Sequence, residues 1–256
     1  MDGICKLCNQ LKDLRDSHIV PRWSHRRLVR VGETTGMPRT IQVFDDTAMV
    51  LATQDSEHLL CAECEQRFGL WENAVARVAV QPDDSFPALD RVAVIGAAAD
   101  GRKIADASTL PDDLIPFALS ILWRASVCGL ENYRNVSLGA RYNEEFRAYL
   151  HGETPIPDNV RLLVQLLEPT EPRIDRLIVP PESDAIGAYH RHQFLIFGMY
   201  FYVAVGGAGE LHLLDEESLD RNRRVSIGTG DFIRRNLALR VAGVQARGAF
   251  ARDGNR

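Results

Sequence analysis

Two Cys-x-x-Cys pairs, "CKLC" at 5–8 and "CAEC" at 61–64, constrain this chain more than any other feature. They use four of its five cysteines, and four thiolates are what a tetrahedral structural Zn²⁺ requires. The fold must therefore bring both pairs together across the 52 residues between them. The opening "MDGICKLC" has no positively charged leader ahead of an apolar run, which points to a cytoplasmic, reducing setting where metal is favoured over disulfides. Two unrelated pairs of buried cysteines are the plainer alternative. Cys128, alone in "LSILWRASVCGL", is expected to be a small buried hydrophobe rather than a nucleophile.

A compact zinc finger cannot contain so long an insertion, whereas a treble clef can. Its first knuckle comes from a hairpin and its second from the start of a helix. The helix is legible over 62–78, where Phe68, Trp71, Val75 and Val78 recur at three- and four-residue spacing. The breakers in "QPDDSFP" (81–87) then mark a boundary or sharp turn. The expected organisation is a zinc-binding unit over 1–80 and an α+β domain of unknown role over 81–256. Within the latter, helices are expected at about 111–129 and 139–150, strands at about 159–215, and a basic helix at the C-terminus. In the first of those helices Thr109 is the expected cap, and Leu114, Phe117, Ile121, Leu122 and Ala125 the buried stripe. A strand is expected in "DRVAVIGAAAD" and another in "TAMVLAT" (47–53). The fold class is thus α+β, with an N-terminal zinc-stapled treble clef (ββα), then a helical segment and a mostly antiparallel sheet.

The most apolar segment, "FLIFGMYFYVAVGG" (194–207), is shorter than a bilayer span and rich in aromatic and β-branched residues, so buried sheet is expected and membrane is not. Overall net charge is −5, which argues against a uniformly basic surface. The charge is uneven, however. Residues 1–40 carry eight Lys+Arg against four Asp+Glu, and residues 221–256 nine against two. Basic ends of this kind can meet phosphates, or can be ordinary solvated surface.

In order along the chain, "CKLC", "SHIVP" (17–21) and "SEHLLCAECE" (56–65) resemble the HNH (ββα-metal) nucleases with four-cysteine zinc knuckles. The chain looks closer still to an uncharacterised bacterial HNH-like group with "SHIIP" and "LLC..CE" signatures, in which helical segments similar to "LSILWRAS" and "VSLGARYNEEFRAYL" follow the zinc unit. The nuclease resemblance covers about the first third of the chain; the wider one implies no known function. What the resemblance implies is a structural zinc on Cys5, Cys8, Cys61 and Cys64, His18 as the general base that activates water, and Glu65 as ligand of a catalytic Mg²⁺ or Mn²⁺. It also implies nucleic acid, DNA first, as the partner, with restriction or anti-phage use. Imidazole suits the base because its pKa is near neutrality, and a carboxylate suits a hard divalent ion. Ser56 falls where the family has an orienting asparagine. Ser17 departs from the pattern: the family places an aspartate ligand there. Asp16 and Glu72 are the nearby carboxylates that could replace it. Asp16 should face away from Ser17 on a strand, and Glu72 lies two helical turns from Glu65, roughly 10 Å by helical rise.

"HRRLVR" (25–30), with Arg22 before it, offers phosphate contacts through Arg22, Arg26, Arg27 and Arg30. His25 and His58 read as surface or packing residues, and "HRH" (190–192) as strand edge rather than a metal pair. Residues 81–256 are expected to hold a protein partner, a ligand or a second copy in a homodimer. The leading expectation is a metal-dependent HNH-type endonuclease hydrolysing phosphodiesters. The alternative is a catalytically inactive zinc module that binds nucleic acid or a protein.

Overall fold

The computed structural model describes residues 1–35, 41–44, 47–50, 55–170 and 173–231. Its first unit grows from a hairpin: β1 (Asp2–Ile4) and β2 (Leu11–His18) pair antiparallel around a tight turn. Asn9 closes that turn in the left-handed region, φ 56°, a conformation asparagine tolerates better than most residues. After β2 come α1 (Arg22–Thr35) and a second hairpin, β3 (Ile41–Phe44) with β4 (Thr47–Val50). The strand expected at 47–53 is thus present over its first four residues, and 51–54 lie outside the described residues. Next, β5 (Ser56–Cys61) pairs with β2 and runs without a break into α2 (Ala62–Ala76), close to its expected span.

A seven-stranded sheet dominates the remainder. α3 (Pro87–Arg91), β6 (Ala93–Ala97) and β7 (Lys103–Asp106) lead to two helices, α4 (Leu114–Val127) and α5 (Gly139–His151). Then come β8 (Val160–Leu167), β9 (Ile178–Ile186), β10 (Tyr189–Ile196), β11 (Met199–Gly206), α6 (Ala208–Leu211), α7 (Leu219–Asn222) and β12 (Arg224–Gly228). The strand order is β6-β7-β12-β8-β11-β10-β9, and every pair is antiparallel except β12 with β8. The apolar run read as buried sheet is the β10–β11 hairpin. Among the described residues no helix is long and apolar enough to cross a membrane.

Three expectations need correction. The strands expected over about 159–215 stop short: α6 and a 3-10 turn (His212–Glu217) occupy "GELHLLD", residues 209–215. Gly206 and Gly207 both take positive φ, 109° and 41°, and this turns the chain off the sheet before another strand can form. Secondly, β12 went unforeseen; it is only five residues long, yet it lies inside the sheet with Val225 fully buried. Thirdly, Thr109 does not cap α4. Asp113 occupies that position, and the Thr109 hydroxyl donates to the Arg91 carbonyl at 2.8 Å. The expected C-terminal basic helix, after Asp231 and within 232–250, lies outside the described residues.

What positions the site is α4. Every residue from Phe117 to Ala125 is buried, so the expected stripe is a whole buried helix rather than one apolar face. It packs against α2, α5 and the sheet, and one apolar cluster runs from Cys5 to Ile227, drawing on both 1–80 and 81–256. The tip of the β10–β11 hairpin tightens this union. Phe197 and Gly198 form a two-residue turn with φ of 39° and 85°, and the Phe197 carbonyl accepts the Val80 N–H at 3.0 Å. A Cβ on Gly198 would come within 2.6 Å of Val80, so close approach as well as conformation requires glycine there.

Candidate metal centre and the pocket beside it

Both cysteine pairs sit where the backbone turns. Around the first, the Cys5 N–H donates to the Gln10 carbonyl and the Asn9 N–H to the Cys5 carbonyl, each at 2.9 Å. Around the second, Cys61 ends β5 in an extended conformation and occupies the cap position of α2, with Cys64 in the first helical turn. The Cys61 N–H donates to the Cys5 sulfur at 3.3 Å, which orients one pair on the other. All four sulfurs lie within 4.8 Å of one another. Tetrahedral Zn–S bonds of about 2.3 Å fit such a cluster, so the four cysteines can hold a metal ion such as zinc. Burial and then the neighbouring Cys61 and Cys5 thiols push the Cys64 thiol far above its ordinary range. Burial likewise raises Cys8. At Cys5 burial is outweighed by backbone N–H donors, first that of Cys8 and then those of Cys61 and Leu7, and its thiol is lowered. A cation at the centre relieves this crowding of thiolates, which couples metal binding to folding.

His18 and Ser17 stand beside this centre at the end of β2. The β2–β5 register slips between Arg15 and Asp16, opposite the adjacent buried residues Leu59 and Leu60. The extra residue, Leu59, is on β5; along β2, Leu14 and Ser17 are buried, and Arg15 and Asp16 exposed. The Ser17 hydroxyl accepts the Leu60 N–H at 3.2 Å and donates to the Glu65 carboxylate in the first turn of α2. Ser17 therefore anchors Glu65, a role that its reading as a lost aspartate did not anticipate. Burial pushes the Glu65 carboxyl up, against the opposing pull of the Ser17 hydrogen bond and the nearby Arg124 guanidinium. The His18 imidazole is half-buried, and burial lowers it, so the ring is neutral at neutral pH. No group among the described residues hydrogen-bonds its nitrogens. His18 and Glu65 share the same charged neighbours, Asp16, Glu72 and Arg124.

Arg124 was not foreseen as part of this pocket. It projects from α4, is 1% exposed, and donates to Glu72 at 2.7 Å. Its guanidinium also lies over the Phe68 ring, 5.3 Å from the centroid. The signal was present in "LSILWRASV": a charged residue within an apolar helix needs a buried partner. Glu72 is thereby committed, and Asp16 is on the exposed side of β2. Among the described residues, the four cysteines are the only group of three or more Cys, His, Asp or Glu ligands close enough to share an ion.

The other candidate residues separate clearly. Ser56 pairs with His18 in the β2–β5 ladder, and His25 on α1 is lowered by burial and then by His18. Asp55, preceding β5, accepts from Asn132 at 3.2 Å, which ties the segment after α4 to the start of β5. Arg22 and Arg26 are exposed. Arg27 is not available to phosphate: its guanidinium donates to the carbonyls of Val80 at 2.6 Å and Ala76 at 3.2 Å, and stacks on Trp23 at 4.6 Å. The side chain of Arg30 lies outside the described residues. His58 is exposed. In "HRH", His190 is exposed, whereas His192 is buried and hydrogen-bonded to Ser183 at 2.6 Å; β10 is flanked on both sides, so the pair is not at the sheet edge. Cys128 is half-buried with its sulfur 3.3 Å from the Ala125 carbonyl.

Comparisons with protein-family models, curated proteins and solved structures find no match to this chain.

Proposed function

We propose that the chain is an HNH-type phosphodiesterase acting on nucleic acid, DNA first, with a zinc-stapled treble clef carrying the reacting groups. The observation that carries this reading is His18, a neutral imidazole whose nitrogens have no hydrogen-bond partner among the described residues: it follows Ser17, which bonds Glu65, and it shares with Glu65 the charged neighbours Asp16, Glu72 and Arg124. The hairpin knuckle of β1–β2 and the second knuckle at the start of α2 support the clef.

In this reading His18 takes a proton from water as the water oxygen attacks phosphorus. The new P–O bond forms as the bond to the leaving oxygen breaks, and that oxygen acquires a proton from solvent. A Mg²⁺ or Mn²⁺ ion would supply charge neutralisation at the phosphate and the leaving oxygen. Glu65 is the carboxylate that would hold it, and Ser17 fixes that carboxylate in place. Arg22 and Arg26, exposed on the helix that follows His18, would meet neighbouring phosphates.

A second reading is a non-catalytic zinc module that binds nucleic acid or a protein. It is favoured by one observation: Ser17 is bonded to Glu65 and Glu72 to Arg124, so the pocket's groups are largely satisfied by one another. Purified protein incubated with plasmid and single-stranded DNA, in Mg²⁺, Mn²⁺ or EDTA, separates the two. The nuclease reading expects divalent-dependent cleavage that His18→Ala abolishes without lowering the melting temperature. Equal cleavage by both proteins removes His18 from its role, and no cleavage by either favours the module.

A further inference from the structure

The first cysteine knuckle is reached from the second half of the chain. α5 ends at Gly152, whose left-handed φ of 85° folds Glu153 back over the last turn, its N–H donating to the Ala148 carbonyl at 2.8 Å. Glu153 and Glu144 then hold Arg147 at 2.6 and 2.8 Å, with its side chain 11% exposed. Held in this way, the guanidinium donates to the Leu7 carbonyl at 2.9 Å, 140 residues earlier in the chain. Leu7 stands between Cys5 and Cys8, and the peptide that presents its carbonyl carries the Cys8 N–H at the other end. That N–H donates to the Cys5 sulfur. One peptide unit is therefore fixed at its oxygen by Arg147 while its hydrogen is aimed at a metal ligand. A charged donor on the oxygen polarises the amide and strengthens the bond that its N–H makes.

We propose that Arg147 is a positioning residue for the cysteine centre: through the Leu7–Cys8 peptide it orients the N–H···S bond at Cys5, stabilises that thiolate and raises the affinity of the four cysteines for zinc. The proposal needs only that the cysteines take up the ion, and it is independent of any nuclease activity. α5, outside the 1–80 unit, is then part of what makes the metal centre. Groups that hydrogen-bond around metal ligands orient them and tune their donor strength, and losing one costs about 10–100-fold in metal affinity. A second contact of the same helix end supplies the contrast. Arg67 on α2 donates to the His151 carbonyl at 2.7 Å, which docks α5 without touching the knuckle peptide.

The test uses the full-length protein, with Zn²⁺ affinity measured by competition against a chromophoric chelator and the absorption spectrum of the Co²⁺-substituted form recorded in parallel. Arg147→Ala is expected to weaken Zn²⁺ about tenfold. It should also move the thiolate-to-cobalt charge-transfer band to longer wavelength, because a thiolate that loses hydrogen-bond donation is the better electron donor. Arg147→Lys keeps one donor for the carbonyl but cannot span both glutamates, so it should fall between. Arg67→Ala and the exposed Arg141→Ala should leave both readouts at wild-type values. A merely structural Arg147 predicts instead that Arg67→Ala and Arg147→Ala weaken Zn²⁺ alike, and that the band, scaled to bound cobalt, stays where it is. Should Arg147→Ala not fold, Glu153→Gln, which frees one side of the clamp at an exposed carboxylate, must still weaken Zn²⁺ and move the band in the same direction. An unmoved band, equal losses in Arg67→Ala and Arg147→Ala, or a wild type that binds no Zn²⁺ overturns the proposal.

Discussion

The cysteine centre and the His18–Glu65 pocket share two strands and a helix, yet they are built in opposite ways. The centre uses four identical ligands supplied in two short local turns, and its geometry follows from backbone features at Cys5–Asn9 and at the start of α2. The pocket uses different chemistries from β2, α2 and α4, and each group is held by another: Leu60 holds Ser17, Ser17 holds Glu65, and Arg124 holds Glu72. One is a repeated local motif that an ion can close, the other a chain of pairwise contacts that exists only after the whole core has formed. The first should fail all at once, the second one contact at a time.

The sharpest way to break the comparison is at the cysteines. Cys64→Ser, or exhaustive chelation of the wild-type protein, should remove the bound metal and unfold β1, β2 and the start of α2 together. The expected loss is several kcal/mol, since binding free energy in such sites is folding free energy, of order 10–16 kcal/mol for small zinc modules. Metal content by atomic emission and a chemical-denaturation curve check it. Because the cysteines share one buried apolar cluster with the sheet, the same change should also lower the cooperativity of the whole transition. Cys128→Ser, outside the centre, should leave metal content unchanged.

A smaller effect is expected at Ser17. Ser17→Ala leaves the Leu60 N–H without its acceptor and releases the Glu65 carboxylate, in a setting where Ser17 is fully buried. A lost buried partner costs about 1–3 kcal/mol, read from the shift in denaturation midpoint. Metal content at the cysteines should not change, because their geometry does not pass through this hydroxyl. A concerted loss of metal binding at the cysteines in Ser17→Ala would show that centre and pocket are a single unit after all.

The same contrast explains how far the sequence could be read. Spacing alone identified the cysteine centre, because Cys-x-x-Cys carries its own geometry, and periodicity placed α2 to within about two residues. The pocket was legible only as a list of residues. His18 and Glu65 were singled out, but Ser17 was read as a missing ligand when it is the hydrogen-bond anchor of Glu65. Arg124 was passed over inside an apolar helix, since its partner Glu72 is 52 residues away and only tertiary packing joins them. Arg27 failed for the reverse reason: a basic residue beside other basic residues looked solvent-facing, yet it closes on the carbonyls of Val80 and Ala76. In the sheet, β12 escaped because five residues are too few to show a period, while two left-handed glycines overrode the alternating leucines of 211–214.

The finest distinction lies in pH, where the pocket should leave a signature and the His18 ring is the group that carries it. Burial lowers the folded imidazole below its ordinary value of 6.5, with Arg22 and Arg124 acting in the same direction and Asp16 and Glu72 against it. The unfolded chain therefore takes up a proton that the folded pocket refuses. Stability is constant on this account above about 6.5 and declines as pH falls towards the lower folded value. His18→Gln removes that contribution, so its melting temperature should fall less steeply than wild type's over this window and coincide in slope above it. The change is partial, because His25 and His192 are also lowered by burial, His192 to about 4, and continue to drive acid destabilisation. Parallel melting-temperature profiles for His18→Gln and the exposed His58→Gln measure it directly. If the His58 variant flattens the slope as much as the His18 variant does, the acid response belongs to net charge and not to the pocket.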